Sequence, residues 1–372
     1  MEKITSFNPF ASLKTAFGTL AAVIVGLTYV LLLVDDPRVF VQTIAKALGL
    51  GAVYALVALG FVLIFKATQV VNFAQGALAM IGALFVSFMV RDGNFPLIPK
   101  PTFENGFNLE PLGHPLADME PSWLLWVIAV VIALALMAVF GLVVERLVIR
   151  PMVGQPLFSV AVITLGLETT LRIMATDTVE AQQRSLDVPW GTRGFEVLTN
   201  SDGESAFIAW SYVAAIATCA VAFVAIFFFF RSRLGVAMRA VAYDQEAAMV
   251  QGINVGRVFA IAWAIGAVLA AVGGIFATQP PIAQTGSVQV ETQFIAFRSL
   301  PAVILGGLDS VQGALLGGLI VGMAEITAGQ YLSGYSGTLG AGYPLIVPYV
   351  VMIIGLLVRP YGIFGTPEIR RV

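Results

Sequence analysis

Residues 123–144 read "WLLWVIAVVIALALMAVFGLVV", with no charge anywhere in the run. At 1.5 Å of rise per residue, about twenty apolar residues cross the roughly 30 Å hydrocarbon core of a bilayer. This run is apolar on every face, as a helix in lipid is; a barrel strand would alternate in polarity with a period of two. Similar runs lie at 17–34, 42–65, 76–90, 157–175, 206–230, 258–278, 292–308, 313–329 and 342–358. The expected fold class is an all-α polytopic membrane protein with eight to ten transmembrane helices. Glycines interrupt 292–308 and 313–329, so some of these helices should be broken.

Composition supports this class. Of 372 residues, 58% are hydrophobic and 11% charged, whereas a soluble chain is about one quarter charged. The lone cysteine, Cys219, excludes an internal disulfide and a cysteine-built metal site. The lone histidine, His114, falls in a polar loop and is given no role. Residues 17–34 follow Lys3 and Lys14 as a secretory signal would. The run is long for one, however, and "LLLVDDP" lacks small residues for cleavage, so it reads as a retained first span.

Charge gives an orientation. With the N-terminus inside, the inner segments collect twelve of the twenty basic residues, among them Lys66, Arg146, Arg150, Arg231, Arg233, Arg239, Arg257 and Arg359. The outer segments hold five, and Lys46, Arg172 and Arg298 sit in or near spans. The positive-inside rule then places both termini in the cytoplasm. Two outer loops are long: 91–121, rich in proline, and 176–205, polar with Trp190.

A transporter needs an energy source, and this chain shows no glycine-lysine phosphate loop and no soluble stretch long enough for a nucleotide-binding fold. No cofactor is expected on it; if ATP drives transport, ATP and Mg belong to another subunit. Buried acids for ion coupling are few. Glu168 and Arg172, four apart, read as a pair along one helix face, and Glu325 as an acid near a span end.

The segment 231–257, "RSRLGVAMRAVAYDQEAAMVQGINVGR", is the informative one on the inner side. Asp244 suits a helix N-cap, Glu246 lies in the first turn where the helix dipole favours an acid, and Gly252 suits a left-handed C-terminal cap. The pattern predicts a short helix over about 245–251, exposing alanines and Met249. Seven residues do not hold a helix in water unaided, so something must pack on it.

Several motifs resemble the permease subunits of branched-chain amino acid ABC importers, the shorter type of the two. They are "RLGVAMRAVAYDQEAAMVQGINVGRV", "VVNFAQGALAMIGA", "LPAVILGGLDSVQGALLGGLIVGMAE", "RPYGIFG" and "LGLGAVYALVALGFVLIF", in the family's order. The likeness covers about 41–372, with 91–121 as an outer-loop insertion and 1–40 as an N-terminal segment carrying the first span. Ala77 stands where the family usually has glutamate, and Asp309 where it has glycine. The resemblance implies an ATP-driven importer in the bacterial inner membrane. Its expected partners are a second permease subunit (the same chain or another), two ATPase subunits, an extracytoplasmic solute-binding protein and membrane lipid, with no nucleic acid. Gly235, Arg239, Asp244, Glu246 and Gly252 would then shape the surface that couples to the ATPase.

Thr68, Gln69, Asn72 and Gln75 crowd into "KATQVVNFAQGALAMIG" at 66–82. Unsatisfied amides in lipid cost several kcal/mol, so these groups must face protein or water. Were the segment one helix, Gln69, Asn72 and Gly76 would form a stripe bordered by Thr68 and Gln75. Polar packing and the lining or inner gate of a substrate path are the two readings. The glycines around Asp309 read first as close-packing seams and second as a re-entrant turn beside the path. The solute expected is an amino acid or a similar small polar molecule. An ATP-independent carrier or channel is the alternative; a scaffold or receptor subunit and a membrane enzyme fit less well.

Overall fold

The computed structural model describes residues 28–29, 36–92, 94–102, 108–113, 123–152, 154–179, 184–199, 204–283 and 286–366. The expected span at 17–34 falls almost wholly outside them, as does His114.

Helix α1 (Pro37–Thr68) is the axis of the molecule. Asp36 opens it by accepting from the Arg38 and Val39 N–H groups at 3.0 and 3.3 Å, and Pro37 fits the first turn, where no N–H is needed. Its apolar stretch is 83% buried, against 22% for the apolar stretches of α4 (Leu157–Val179) and α5 (Trp210–Arg231). Small residues let its neighbours approach. A side chain at Gly318 of α10 (Val311–Tyr331) would run into the Ala55 backbone, and one at Gly322 into Gly51. A side chain at Gly266 of α8 (Val255–Ala277) would meet Ile64. Between helices in lipid no hydrophobic force operates, so close backbone packing of this kind holds the bundle together. The packing reading of the glycine seams is thus what the contacts display.

Helix α2 (Gln75–Ser87) is wholly buried and lies against α8, where Gly82 meets Ala271 and Gly274 meets Ala79. Helix α3 (Trp123–Val144) continues through a π turn and a 3-10 turn to Met152; Gly141 lets it approach Trp263 and Ala264 of α8. Helix α6 (Arg233–Tyr243) and helix α7 (Gln245–Val250) follow α5. Helix α9 (Ile295–Gly306) packs antiparallel on α10, with Gly306 against Gly313 and Ala302 against Gly317. The short α11 (Ser336–Leu339) meets α12 (Tyr343–Val358) at an 86° bend.

Among the described residues six helices are long and apolar enough to cross a membrane, or seven if the bent α11–α12 pair is one span. Two expected spans are corrected. Residues 76–90 lie in α2, which continues through a π turn (Phe88–Asp92), and 292–308 contain the 12-residue α9. The apolar helix Gln75–Val90 is about 24 Å long and α9 about 18 Å, each short of the roughly 30 Å core. The proline-rich stretch after Arg91 is not a plain loop. β1 (Asn94–Thr102) pairs antiparallel with β2 (Asn108–Gly113), and the register shifts between Phe95 and Pro99; a bulge of this kind absorbs residues that cannot keep the ladder. In the second long loop, β3 (Arg184–Ser185) pairs with β6 (Ser287–Val288), and β4 (Gly194–Val197) with β5 (Ala206–Ala209). Trp190 donates to the Ser211 hydroxyl at 2.9 Å and sits edge-on to Trp126, tying this loop to α3 and α5.

Lys66, Arg150, Arg231, Arg239, Arg257 and Arg359 gather at one end of the bundle, hereafter the basic end. Contacts between these helix ends hold them there: Lys66 stands over the Phe230 ring at 4.9 Å, and Arg150 binds Glu145 at 3.1 Å and the Gly256 carbonyl at 3.2 Å.

Candidate functional site

The first feature is a break in the bundle. α1 stops at Thr68, whose hydroxyl bonds the Ile64 carbonyl at 2.9 Å, and Gln69 closes it in a left-handed conformation (φ 57°). The chain then turns back, so the single helical stripe expected over Gln69, Asn72 and Gly76 does not form. Asn72 becomes the hub of the turn. Its carbonyl oxygen accepts from the Ala74 N–H at 3.0 Å and its amide donates to Gln75 Oε1 at 3.0 Å. Gln75 Nε2 in turn reaches the Gly266 carbonyl at 3.3 Å, and Gly60 of α1 leaves the room this amide occupies. Gly266 is the middle residue of α8. The start of α2 therefore lies near mid-depth in the bundle, not at its end.

A second broken helix meets the first there. The chain enters through a 3-10 turn (Val290–Phe294) before α9 begins at Ile295. A side chain at Gly76 would run into the Gln293 carbonyl and the Ala296 methyl. Two half-helices thus have their N-termini side by side at mid-depth, α2 running toward one face and α9 toward the basic end. Irregular backbone at this depth is tolerated only where it is buried in protein or lines a cavity, and broken helices of this kind surround the substrate in many transporters.

At the basic end a cleft of about 460 Å³ is lined by Lys66, Gln69, Arg239, Asp309, Tyr361 and Thr366, among others. Two candidate path residues, Gln69 and Asp309, therefore share a cavity with a candidate coupling residue, Arg239. They stand apart from the Asn72–Gln75–Gly76 junction. Asp309 sits in the turn between α9 and α10. Its carboxylate accepts from the Thr366 N–H and hydroxyl. "RPYGIFG" at 359–365 folds over the same turn, and Ile363 and Phe364 satisfy the Leu305 and Gly306 carbonyls at the end of α9. Gly307 (φ 107°) passes against Gly365, an approach and a backbone angle that both require glycine.

The second feature is the α6–α7 element. Ser232 caps α6 through the Gly235 N–H at 3.3 Å, and Gly235 lies on the Phe229–Phe230 backbone with no space for a side chain. Arg239 donates to the Phe230 carbonyl at 2.6 Å, locking α6 to the end of α5. Asp244 ends α6 and caps α7 by accepting from the Ala247 N–H at 2.9 Å. Glu246 lies in the first turn and Gly252 takes φ 80° just past the last, so the predicted capped helix is present over Gln245–Val250. Met238, Val241 and Ala248 bury the inner face. Tyr243 (88% exposed), Val250 (85%) and Met249 (52%) point outward. Ala247 is exposed as expected, while Ala248 is not.

Ionisable groups within the spans divide into two kinds. Arg172 pairs with Glu168 at 3.4 Å, as the spacing foretold. Glu325 is buried and accepts from the Tyr54 hydroxyl at 2.6 Å. Arg298, on α9, is solvent-exposed. Sequence reading passed over it as one basic residue near a span; its significance depends on α9 starting at mid-depth, which no local pattern announces.

A membrane bundle with half-helices meeting at its centre and a capped two-helix element at its basic end has the construction of a transport subunit. Residues 43–357 match the family described as branched-chain amino acid transport system / permease component. The chain is 30% identical over 335 residues, 90% of its length and 98% of the relative's, to the high-affinity branched-chain amino acid transport system permease protein LivH of Salmonella typhimurium. It is 31% identical to LivH of Escherichia coli K12 over the same shares, and 28% identical to the permease protein BraD of Pseudomonas aeruginosa. No solved structure matches the chain. The chain belongs to the branched-chain amino acid permease family, and it is a permease subunit of an ABC importer.

Proposed function

We propose that this subunit forms, with a second permease, the path for an amino acid of the branched-chain type or a similarly small polar solute. The α6–α7 element couples that path to ATP hydrolysis elsewhere. ATP and Mg are bound by two separate ATPase subunits that dock against the basic end. A binding protein delivers the solute from the opposite side. In this reading the basic end is cytoplasmic, as the positive-inside rule requires. Both termini are then cytoplasmic, the full crossings number eight with α2 and α9 as half-helices, 41–372 is the transport unit behind an N-terminal segment 1–40, and the membrane is the bacterial inner membrane.

The observation that carries the coupling role is α6–α7 itself: a short element capped at both ends, anchored by Arg239 to α5, with Tyr243, Met249 and Val250 uncovered. A single subunit gains nothing by exposing these side chains, and a partner of complementary shape would bury them. Gly235, Arg239, Asp244, Glu246 and Gly252 act by fixing this surface. Thr68, Asn72, Gln75 and Gly76 form the packed inner gate of the path, closed in this conformation, and Gln69 and Asp309 line its exit. Replacing residues 245–250 by a flexible linker of equal length is expected to abolish ATP-driven uptake while leaving membrane insertion intact. Uptake at the normal rate would contradict the coupling role.

A further inference from the structure

Arg298 lies deep within the bundle. Its depth follows from two neighbours. The start of α9 touches Gly76, beside Gln75, which bonds the middle residue of α8. Along α10, Gly306 meets Gly313 and Ala302 meets Gly317. One further turn brings Arg298 level with Val321, the middle residue of α10. From mid-depth either edge of the hydrocarbon core is about 15 Å away, beyond what an arginine covers by snorkelling.

The side chain is nevertheless exposed within this chain, in line with the exposed Phe294 one turn earlier and the exposed Glu291 beyond it, while its guanidinium also hydrogen-bonds the buried Tyr54 hydroxyl. Among the described residues it forms no ion pair, whereas Arg172 is neutralised by Glu168. Glu325 is close enough to feel its charge and is bonded to the same Tyr54 hydroxyl. The Tyr54 hydroxyl satisfies only part of the five-donor guanidinium. The part left exposed at this depth cannot face lipid, so it faces water in a path or a group that enters that path.

We propose that Arg298 receives the carboxylate of the transported solute, with the Phe294 ring alongside to take its apolar side chain. A guanidinium fork matches a carboxylate in two parallel charge-assisted hydrogen bonds, and a low-dielectric surround strengthens them. This inference rests on the reading of the solute as an amino acid and extends it to a residue.

The test uses the complete importer, purified with its partners and reconstituted in liposomes, with L-leucine as probe. Arg298→Gln is expected to lower ATP-driven leucine uptake at least tenfold, with the complex still assembling and still hydrolysing ATP. Arg298→Lys, which keeps the charge and loses the fork, is expected to recover part of the uptake. If Arg298→Gln instead breaks the complex apart on size exclusion, the arginine pairs with the second permease and the inference is overturned. Equal leucine uptake by Arg298→Gln and wild type overturns the inference alone. A wild-type importer that moves urea or acetamide and no carboxylate-bearing solute overturns the amino acid reading together with it.

Discussion

Among the described residues two breaks lie at mid-depth in the bundle, and they are furnished in opposite ways. At the first, Asn72 and Gln75 are fully buried, bonded to each other, to the Ala74 N–H and to the Gly266 carbonyl. At the second, three to four residues into α9, Arg298 bonds the Tyr54 hydroxyl yet remains an exposed residue. Buried polar groups that find partners within one chain hold its fold, and in this conformation the first break is a clasp joining α1, α2 and α8. The Tyr54 bond ties Arg298 to α1, but the part of its charge left exposed at the same depth adds nothing to the fold of a single subunit. It is retained at a cost, and such costs in membranes mark ion or substrate paths. The polar cluster that draws the eye in the sequence is thus the closed part, and the arginine hidden in an apolar run is the partly open one.

Substitutions can break this contrast. Asn72→Leu removes the donor to Gln75 and the acceptor for the Ala74 N–H, leaving buried groups unpaired at about 1–3 kcal/mol. The expected outcome is a clear fall in Tm and in folded yield, while Arg298→Gln lowers both less, because the Tyr54 hydroxyl it releases stays bonded to Glu325. A stable Asn72→Leu protein would show that the clasp holds nothing. A smaller effect is expected at the basic end. Asp244→Ala removes the α7 N-cap, worth about 1 kcal/mol, and should loosen residues 244–252 locally with no change in global Tm. Hydrogen exchange of the α7 amides would register it as faster exchange confined to that segment; unchanged exchange would mean that α7 is held by its packing alone.

Legibility in the sequence followed the range of the interactions. The long spans were readable because lipid demands uninterrupted apolar runs, and α7 because Asp244 and Gly252 are local caps acting within one turn. The pair Glu168–Arg172 was readable for the same reason, being four residues apart on one helix. The half-helices were not. A 13-residue buried helix and a short membrane span share the same apolar composition, and only the meeting of Gly76 with Gln293, over two hundred residues away, separates them. The hairpin after Arg91 was hidden by prolines that argue against strands unless a bulge absorbs them. "RPYGIFG" stood out as a motif, yet its task of closing the end of α9 appears only when residues 305 and 363 are seen together. Arg298 was missed because depth in the bilayer is a property of the assembled bundle.

The most direct measurement compares the two breaks by their access to water. In a Cys219→Ser background, Asn72→Cys and Arg298→Cys importers would be treated with a charged, membrane-impermeant thiol reagent from both sides of the membrane. The account predicts rapid modification at position 298, slowed by L-leucine, and none at position 72 in the resting complex. Modification at 72 with protection at 298 would reverse the assignment of closed and open break and contradict the account.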